Sequence, residues 1–327
     1  MPRQKTPVKR KLKITSGPGL VDLHFHGAFG VDLMSADRKQ LNELSTKLKK
    51  AGIAGFCATT LSASHKDLLR TVTRLGEWIN SKEAPGAQPL GIHLEGPYIH
   101  SNCCGAHPRD IIRPLKMKEL EELWNASGET LKILTIAPEI LSPELLKTLT
   151  TWARKRKVIL SLGHSQATEK QAENAFKLGF SGITHAWNAL PFHHRAPGAI
   201  GAALGRKGVH IELIIDLIHV SPTLIRWTRK LHPDGVCFVS DCAPAAATHD
   251  GHWYPFGDLE TRFEDGVCRL GNGALAGGGL LLTEAYEQWL KVESRHTGAS
   301  VKSLRAKSID LVTVNPLKAL GLKLRKA

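Results

Sequence analysis

Short apolar runs recur along the chain. Between them lie stretches in which apolar residues return every three or four positions. The first run is GLVDLHF (19–25); others follow at 52–60, 89–96, 131–139, 157–165, 180–188, 209–216 and 235–241. Each has the length and apolar character of a buried strand. The intervening segments DRKQLNELSTKLKKAG (37–52) and SPELLKTLTTWARKRK (142–157) space their apolar residues as one face of a helix. Strands alternating with helices predict parallel β/α units. Eight such units within 327 residues predict a single-domain α/β fold, a TIM-like (β/α)8 barrel. The predicted barrel covers 19–322, with basic tails at 1–18 and 323–327.

The connections are uneven. Long polar loops follow the third run (96–115) and the sixth (187–208), and a Gly-rich excursion with an expected hairpin around TRFEDGVCRLGNGAL follows the eighth (242–280). Barrel enzymes build their sites from loops at this end of the strands.

Composition narrows the class. Hydrophobic residues make up 42% and charged residues 23%, ordinary for a globular protein. No apolar run approaches the roughly 20 residues that span a bilayer, and no apolar segment of signal-peptide length follows the N-terminus. The expectation is a soluble cytoplasmic protein with no membrane partner. The net charge of +14 raises nucleic acid as a partner. However, the first 13 residues carry six Lys/Arg and no acid, and the last five carry three more. Charge gathered in tails reads as solvated arms and argues against a nucleic-acid surface. The six cysteines form no C-x-x-C pair and are expected to be free, buried thiols.

Polar residues then fall into a pattern. His24 and His26 end the first run, Glu95 the third, His164 the fifth, His185 the sixth and Asp241 the eighth. All sit at the same end of their strands, so a barrel brings them to one face. Imidazole and carboxylate together suit a divalent cation. In HFH, alternate residues of a strand point the same way, so both rings can grip one ion. His93, two residues before Glu95, reads as core. His65, His210, His232, His249, His252 and His296 are expected on the surface or in loops.

The stretches GLVDLHFHGAFGVD, GIHLEGPYI, GAHPRD, LGHSQAT, THAWNALPFHHRAPGAIGAAL, DLIHVSP, VSDCAPAAATHDG and GALAGGGLLLTEA resemble, in order and over 19 to about 322, the N-acetylglucosamine-6-phosphate deacetylase family of the amidohydrolase superfamily. The resemblance implies that Glu95, His164 and His185 bind a primary metal and that His24 and His26 form a second position bridged by Glu95. One or two ions are therefore implied, zinc first, with iron, manganese and cobalt as alternatives. It implies Asp241 as the catalytic acid/base and His107 as donor to the amide carbonyl. Asn188, the backbone at Ala189, Arg195 and His219 would hold the phosphorylated amino sugar, with Arg195 reaching a neighbouring subunit's site in a homodimer.

The usual small β-sandwich of that family is not expected here, so the far end of the barrel must close some other way. The paired Cys103 and Cys104 near the proposed mouth also depart from the pattern. Two other readings stay open: a related amidohydrolase acting on another N-acylated amino sugar or amino acid, and a non-catalytic, nucleic-acid-binding barrel.

Overall fold

Eight parallel strands pair in chain order: β1 (Leu20–Phe25), β2 (Ile53–Thr60), β3 (Gln88–Glu95), β4 (Leu131–Ile136), β5 (Ile159–Leu162), β6 (Gly182–Ile183), β7 (His210–Ile214) and β8 (Val236–Val239). The computed structural model describes residues 19–322, and the two tails expected at 1–18 and 323–327 lie outside the described residues. The predicted (β/α)8 barrel is what forms. Its first and last strands meet at a seam. Asp241 N–H donates to His24 O (3.0 Å) and His26 N–H to Cys242 O (2.9 Å). Lower down, the buried Asp22 carboxylate accepts from Ser240 N–H (3.2 Å) and Ser240 Oγ–H (2.5 Å).

Helices α1 (Arg38–Lys50), α2 (His65–Ser81), α3 (Met117–Ala126), α4 (Pro143–Arg156), α5 (Glu169–Leu178), α6 (Gly198–Ala203), α7 (Pro222–Leu231), α8 (Leu282–Thr297), α9 (Val301–Ser308) and α10 (Val314–Ala319) connect or follow the strands. The two helices read from periodicity appear with caps just outside them. Asp37 accepts from Gln40 N–H before α1, and Gln40 returns the bond. Ser142 accepts from Leu145 N–H before α4. On α1 the three- and four-residue spacing buries Leu41, Leu44 and Leu48 while its lysines stay in water.

A second, smaller apolar cluster joins Val21, Leu23, Cys57, Leu90, Ile133, Ile214, Cys237 and Val239. These residues come from strands all around the barrel, and only the interior brings them together. Leu317 of α10 completes the cluster, and Asn315 of the same helix donates to Val236 O at the start of β8 (2.8 Å). The short helix thus packs at the end of the barrel away from the predicted site.

The excursion after β8 is larger than the hairpin expected. It is a four-stranded antiparallel sheet, β9 (Trp253–Phe256), β10 (Leu259–Glu264), β11 (Val267–Leu270) and β12 (Leu275–Gly278). The expected runs at 157–165 and 180–188 shrink to four and two strand residues. Two histidines were misassigned. His210 is buried on β7, and His232 is buried with Nε2 against Val209 O at 2.7 Å, so neither is a surface residue. His65 is half-buried against Glu122, and His249, His252 and His296 are exposed as expected. All six cysteines are free and buried. Among the described residues, no helix is long and apolar enough to cross a membrane.

Candidate metal centre and active site

His24 lies within β1, His26 just after it, and Glu95 is the last residue of β3. The other three strand-end residues stand two positions past their strands. His164, His185 and Asp241 follow β5, β6 and β8, with φ of 47°, 29° and 53°. Left-handed backbone is uncommon for residues other than glycine and gathers at functional sites. Each turn ends its strand and aims the side chain over the barrel mouth.

The Glu95 carboxylate is the hub. Its Oε1 lies 3.3 Å from His24 Nε2, 3.2 Å from His164 Nε2 and 3.0 Å from His185 Nε2. Its Oε2 lies 3.3 Å from both His26 Nε2 and His107 Nε2. Asp241 Oδ1 approaches His24 Nε2 (3.2 Å) and His26 Nε2 (3.3 Å). The Nε2 atoms of His24 and His26 are 3.2 Å apart, and those of His164 and His185 are 2.9 Å apart.

The opposite ring nitrogens set the tautomers. His24 Nδ1 faces Glu212 Oε2 at 3.2 Å, and His164 Nδ1 faces the Cys103 carbonyl at 2.7 Å. Both partners accept, so both rings carry a hydrogen on Nδ1, and in the neutral ring the lone pair then lies on Nε2, facing the centre. It is the Cys103 backbone, and not its thiol, that touches a candidate ligand. His107 is arranged the other way. Ser62 N–H donates to its Nδ1 (3.1 Å), which puts the ring hydrogen on Nε2, facing the cavity. Burial pushes the His107 imidazolium down to about 4, so the ring is neutral near pH 7.

Burial works against every charge here, but the charges hold one another. Despite its burial, His24 is lifted well above the ordinary histidine range by Glu95 and Asp241. Glu95, also buried, is held well below the carboxylate range by His24 and by hydrogen bonds from the surrounding rings. Asp241 is lowered by His24 and His26 against its own burial. Five Nε2 atoms surround the one carboxylate at 3.0–3.3 Å. Candidate ligand atoms of His24, His26 and Asp241 lie within 4.8 Å of one another, and the Nε2 atoms of His164 and His185 lie 3.2 and 3.0 Å from Glu95 Oε1. This buried imidazole and carboxylate set fits a divalent cation.

The centre opens into a cavity of about 200 Å³. His107, Asn188, Ala189, His219 and Asp241 line it, so the structure brings these expected residues together. Asp216 Oδ2, 2.6 Å from His219 Nδ1, raises that ring's affinity for protons against the effect of burial. Arg195 is not among the lining residues; it is exposed on the loop after β6, with Nη1 2.9 Å from His194 Nε2. His93 is core, bonded at both ring nitrogens by Leu23 O (3.1 Å) and Thr135 Oγ1 (2.7 Å). Sequence reasoning missed Glu212 and Ser62, which stand behind the His24 and His107 rings, and Phe256 with Leu275–Gly277 of the inserted sheet, which line the cavity.

A parallel (β/α)8 barrel with a histidine–carboxylate centre at the C-terminal ends of its strands defines a barrel hydrolase of the metal-dependent class. Residues 17–325 match the Amidohydrolase family. The chain is 32% identical to the N-acetylglucosamine-6-phosphate deacetylase of Bacillus subtilis (strain 168), over 99% of this chain and 81% of that one. It is 31% identical to the N-acetylgalactosamine-6-phosphate deacetylase of Escherichia coli O157:H7, over 93% and 78%. A Mycobacterium smegmatis deacetylase variant in complex with N-acetyl-D-glucosamine-6-phosphate superposes with a TM-score of 0.83 at 29% identity, covering 93% of this chain and 77% of that one. The Thermotoga maritima enzyme superposes at 0.79 with 36% identity, over 93% and 78%. The chain belongs to the amidohydrolase superfamily and, within it, to the N-acetylglucosamine-6-phosphate deacetylase family.

Proposed function

We propose that the protein hydrolyses the acetamide of N-acetylglucosamine 6-phosphate, giving glucosamine 6-phosphate and acetate, with zinc as the resident cation. One observation carries this reading. A proton acceptor, Asp241, and a neutral proton donor, His107 Nε2–H, face the same cavity as the Glu95 cluster. Glu95, His164 and His185 would hold one cation, and His24, His26 and Glu95 would hold a second. When bound, a cation there supplies an acidified water and a Lewis acid for the acyl oxygen. Asp241, ionised at neutral pH, takes a proton from the attacking water as its oxygen bonds to the acyl carbon. His107 donates to the amide oxygen as negative charge develops on it. The C–N bond then breaks, and Asp241 returns the proton to the departing amine. Asn188, the Ala189 backbone and the proton-retaining His219 hold the sugar phosphate. Arg195, exposed and outside its own chain's cavity, serves the phosphate of a neighbouring copy in a homodimer.

The E. coli relative makes N-acetylgalactosamine 6-phosphate the second reading. The test is amine release by purified protein from both phosphorylated sugars and from unphosphorylated N-acetylglucosamine, with added zinc and with chelator. Zinc-dependent turnover highest on N-acetylglucosamine 6-phosphate is expected. Faster turnover of the galactosamine ester favours the second reading. No turnover of any of the three by zinc-loaded protein overturns both.

A further inference from the structure

The floor of a parallel barrel is ordinarily filled by branched apolar residues. Here β7 places a carboxylate, Glu212, at 0% exposure in the middle of the strand. Burying a charge costs several kcal/mol unless it is paired, and a merely structural position is as well served by an apolar side chain. Glu212 is only half satisfied. Oε1 has no hydrogen-bond partner among the described residues, while Oε2 carries two contacts. One is His24 Nδ1 at 3.2 Å; the other is His185 N–H at 3.3 Å. A single oxygen thus ties a ring from one candidate cation position to the backbone of a ligand at the other.

The four candidate ligand rings around Glu95 are not supported alike. Nδ1 of His26 and of His185 has no partner among the described residues, and His164 leans on a neutral carbonyl. His24 alone leans on a carboxylate. A carboxylate behind a ligating imidazole fixes the tautomer and makes the facing nitrogen more basic. His24 Nε2 stands between Glu95 Oε1, Asp241 Oδ1 and His26 Nε2, at 3.2–3.3 Å from each. Glu212 is not itself a ligand of a third ion with the nearby His93, because both ring nitrogens of His93 are already engaged.

Resting on the reading that the Glu95 cluster binds divalent cations, we propose that Glu212 is the positioning residue that makes His24 a ligand and so decides whether the second cation position fills. It acts through His24 and touches neither substrate nor the reacting atoms. The primary position, built on Glu95, His164 and His185, keeps its ion without the Glu212 charge.

The test reads metal and not turnover. Wild type, Glu212→Gln, Glu212→Met and His24→Ala are dialysed against buffered free zinc, and zinc per chain is measured by elemental analysis across a titration. Wild type is expected to bind two ions. Glu212→Gln keeps the shape and an acceptor but not the charge, so it is expected to bind the weaker ion about 10–100-fold less tightly, with the tighter ion unchanged. Glu212→Met and His24→Ala are expected to hold one ion. The double variant Glu212→Gln/His24→Ala is expected to bind no worse than His24→Ala alone, because the two changes act on one ligand. Melting in chelator checks that each variant is folded. If Glu212→Met does not fold, Glu212→Gln decides the matter. Two ions in Glu212→Gln with wild-type affinities overturn the inference, as does a single ion in wild type. No zinc bound by wild type overturns the cation site itself, and the proposed function with it.

Discussion

An imidazole can hold a cation only through a nitrogen that carries no proton, so what matters at each ring is what sits behind it. Behind His24 is a carboxylate, behind His164 a carbonyl, and behind His107 a backbone N–H that turns the ring into a donor. None of these partners is adjacent in sequence, so the residues of the cluster were legible and their tautomers were not. Glu212 left a faint signal, a charge inside the apolar run VHIELIID, two residues from His210. Alternation put both on one side of the strand, yet a polar pair in a buried run is hard to separate from a solvent-facing stripe by pattern alone. His210 therefore reads as surface and proves to be core. Burial holds its pKa below the ordinary 6.5, with Glu212 opposing and His232 adding to the effect. Its folded value is the lower one, so its stability contribution is intact above about pH 6.5 and is lost as pH falls below that. The fall in melting temperature between pH 7 and 5.5 is expected to be smaller in His210→Gln than in wild type. Equal falls would exclude His210 as the source.

At the level of elements, strand order and the two clearest helices could be read because their periodicities are long and uninterrupted. The strand ends could not. His164, His185 and Asp241 fall in turns with left-handed backbone, a conformation that residue identity does not announce outside glycine. The inserted sheet was reduced to one hairpin because β9 and β12 are short and carry Pro255 or the glycines Gly277 and Gly278. Those glycines have a spatial cause. β12 runs against the turn that holds Asp241, with Gly278 N–H donating to Asp241 O at 2.7 Å. A Cβ at Gly278 would stand 2.1 Å from Ser240 O, and one at Gly277, whose φ is 129°, would stand 2.6 Å from Asp241 O. Gly278→Ala is expected to lower stability by about 1–3 kcal/mol through overpacking and, by shifting Asp241, to abolish turnover. Gly271→Ala, with nothing within 4 Å, serves as the control and is expected to change neither. Thermal melting and amine release read both variants. A Gly278→Ala protein with wild-type turnover would separate the sheet from the catalytic turn.

For the molecule as a whole, the barrel was legible because eight alternating units admit few other arrangements; how its far end closes was not, since α10 does so through Leu317 and Asn315 on a helix only six residues long. The Glu95 centre gathers residues from β1 and β3 and from the turns after β5, β6 and β8, so a cation there braces most of the barrel against opening. A ligand that binds only the folded state stabilises it by about 2.7 kcal/mol at ~100 times its dissociation constant. Added zinc is expected to raise the melting temperature of metal-stripped protein, and His164→Ala to blunt that rise; an unchanged melting curve would mean that no cation couples to the fold.

The seam between β1 and β8 has a further consequence, for synthesis. Its buried bond joins Asp22 to Ser240, 218 residues apart, and the candidate centre straddles the same seam. On a ribosome the His24–Phe25–His26 segment emerges early and waits through most of translation for Asp241. Until then it is an open chelating pair with none of its final neighbours. A chain truncated before Asp241 is therefore expected to take up transition metals weakly and without selectivity in a metal titration, and the full-length protein selectively.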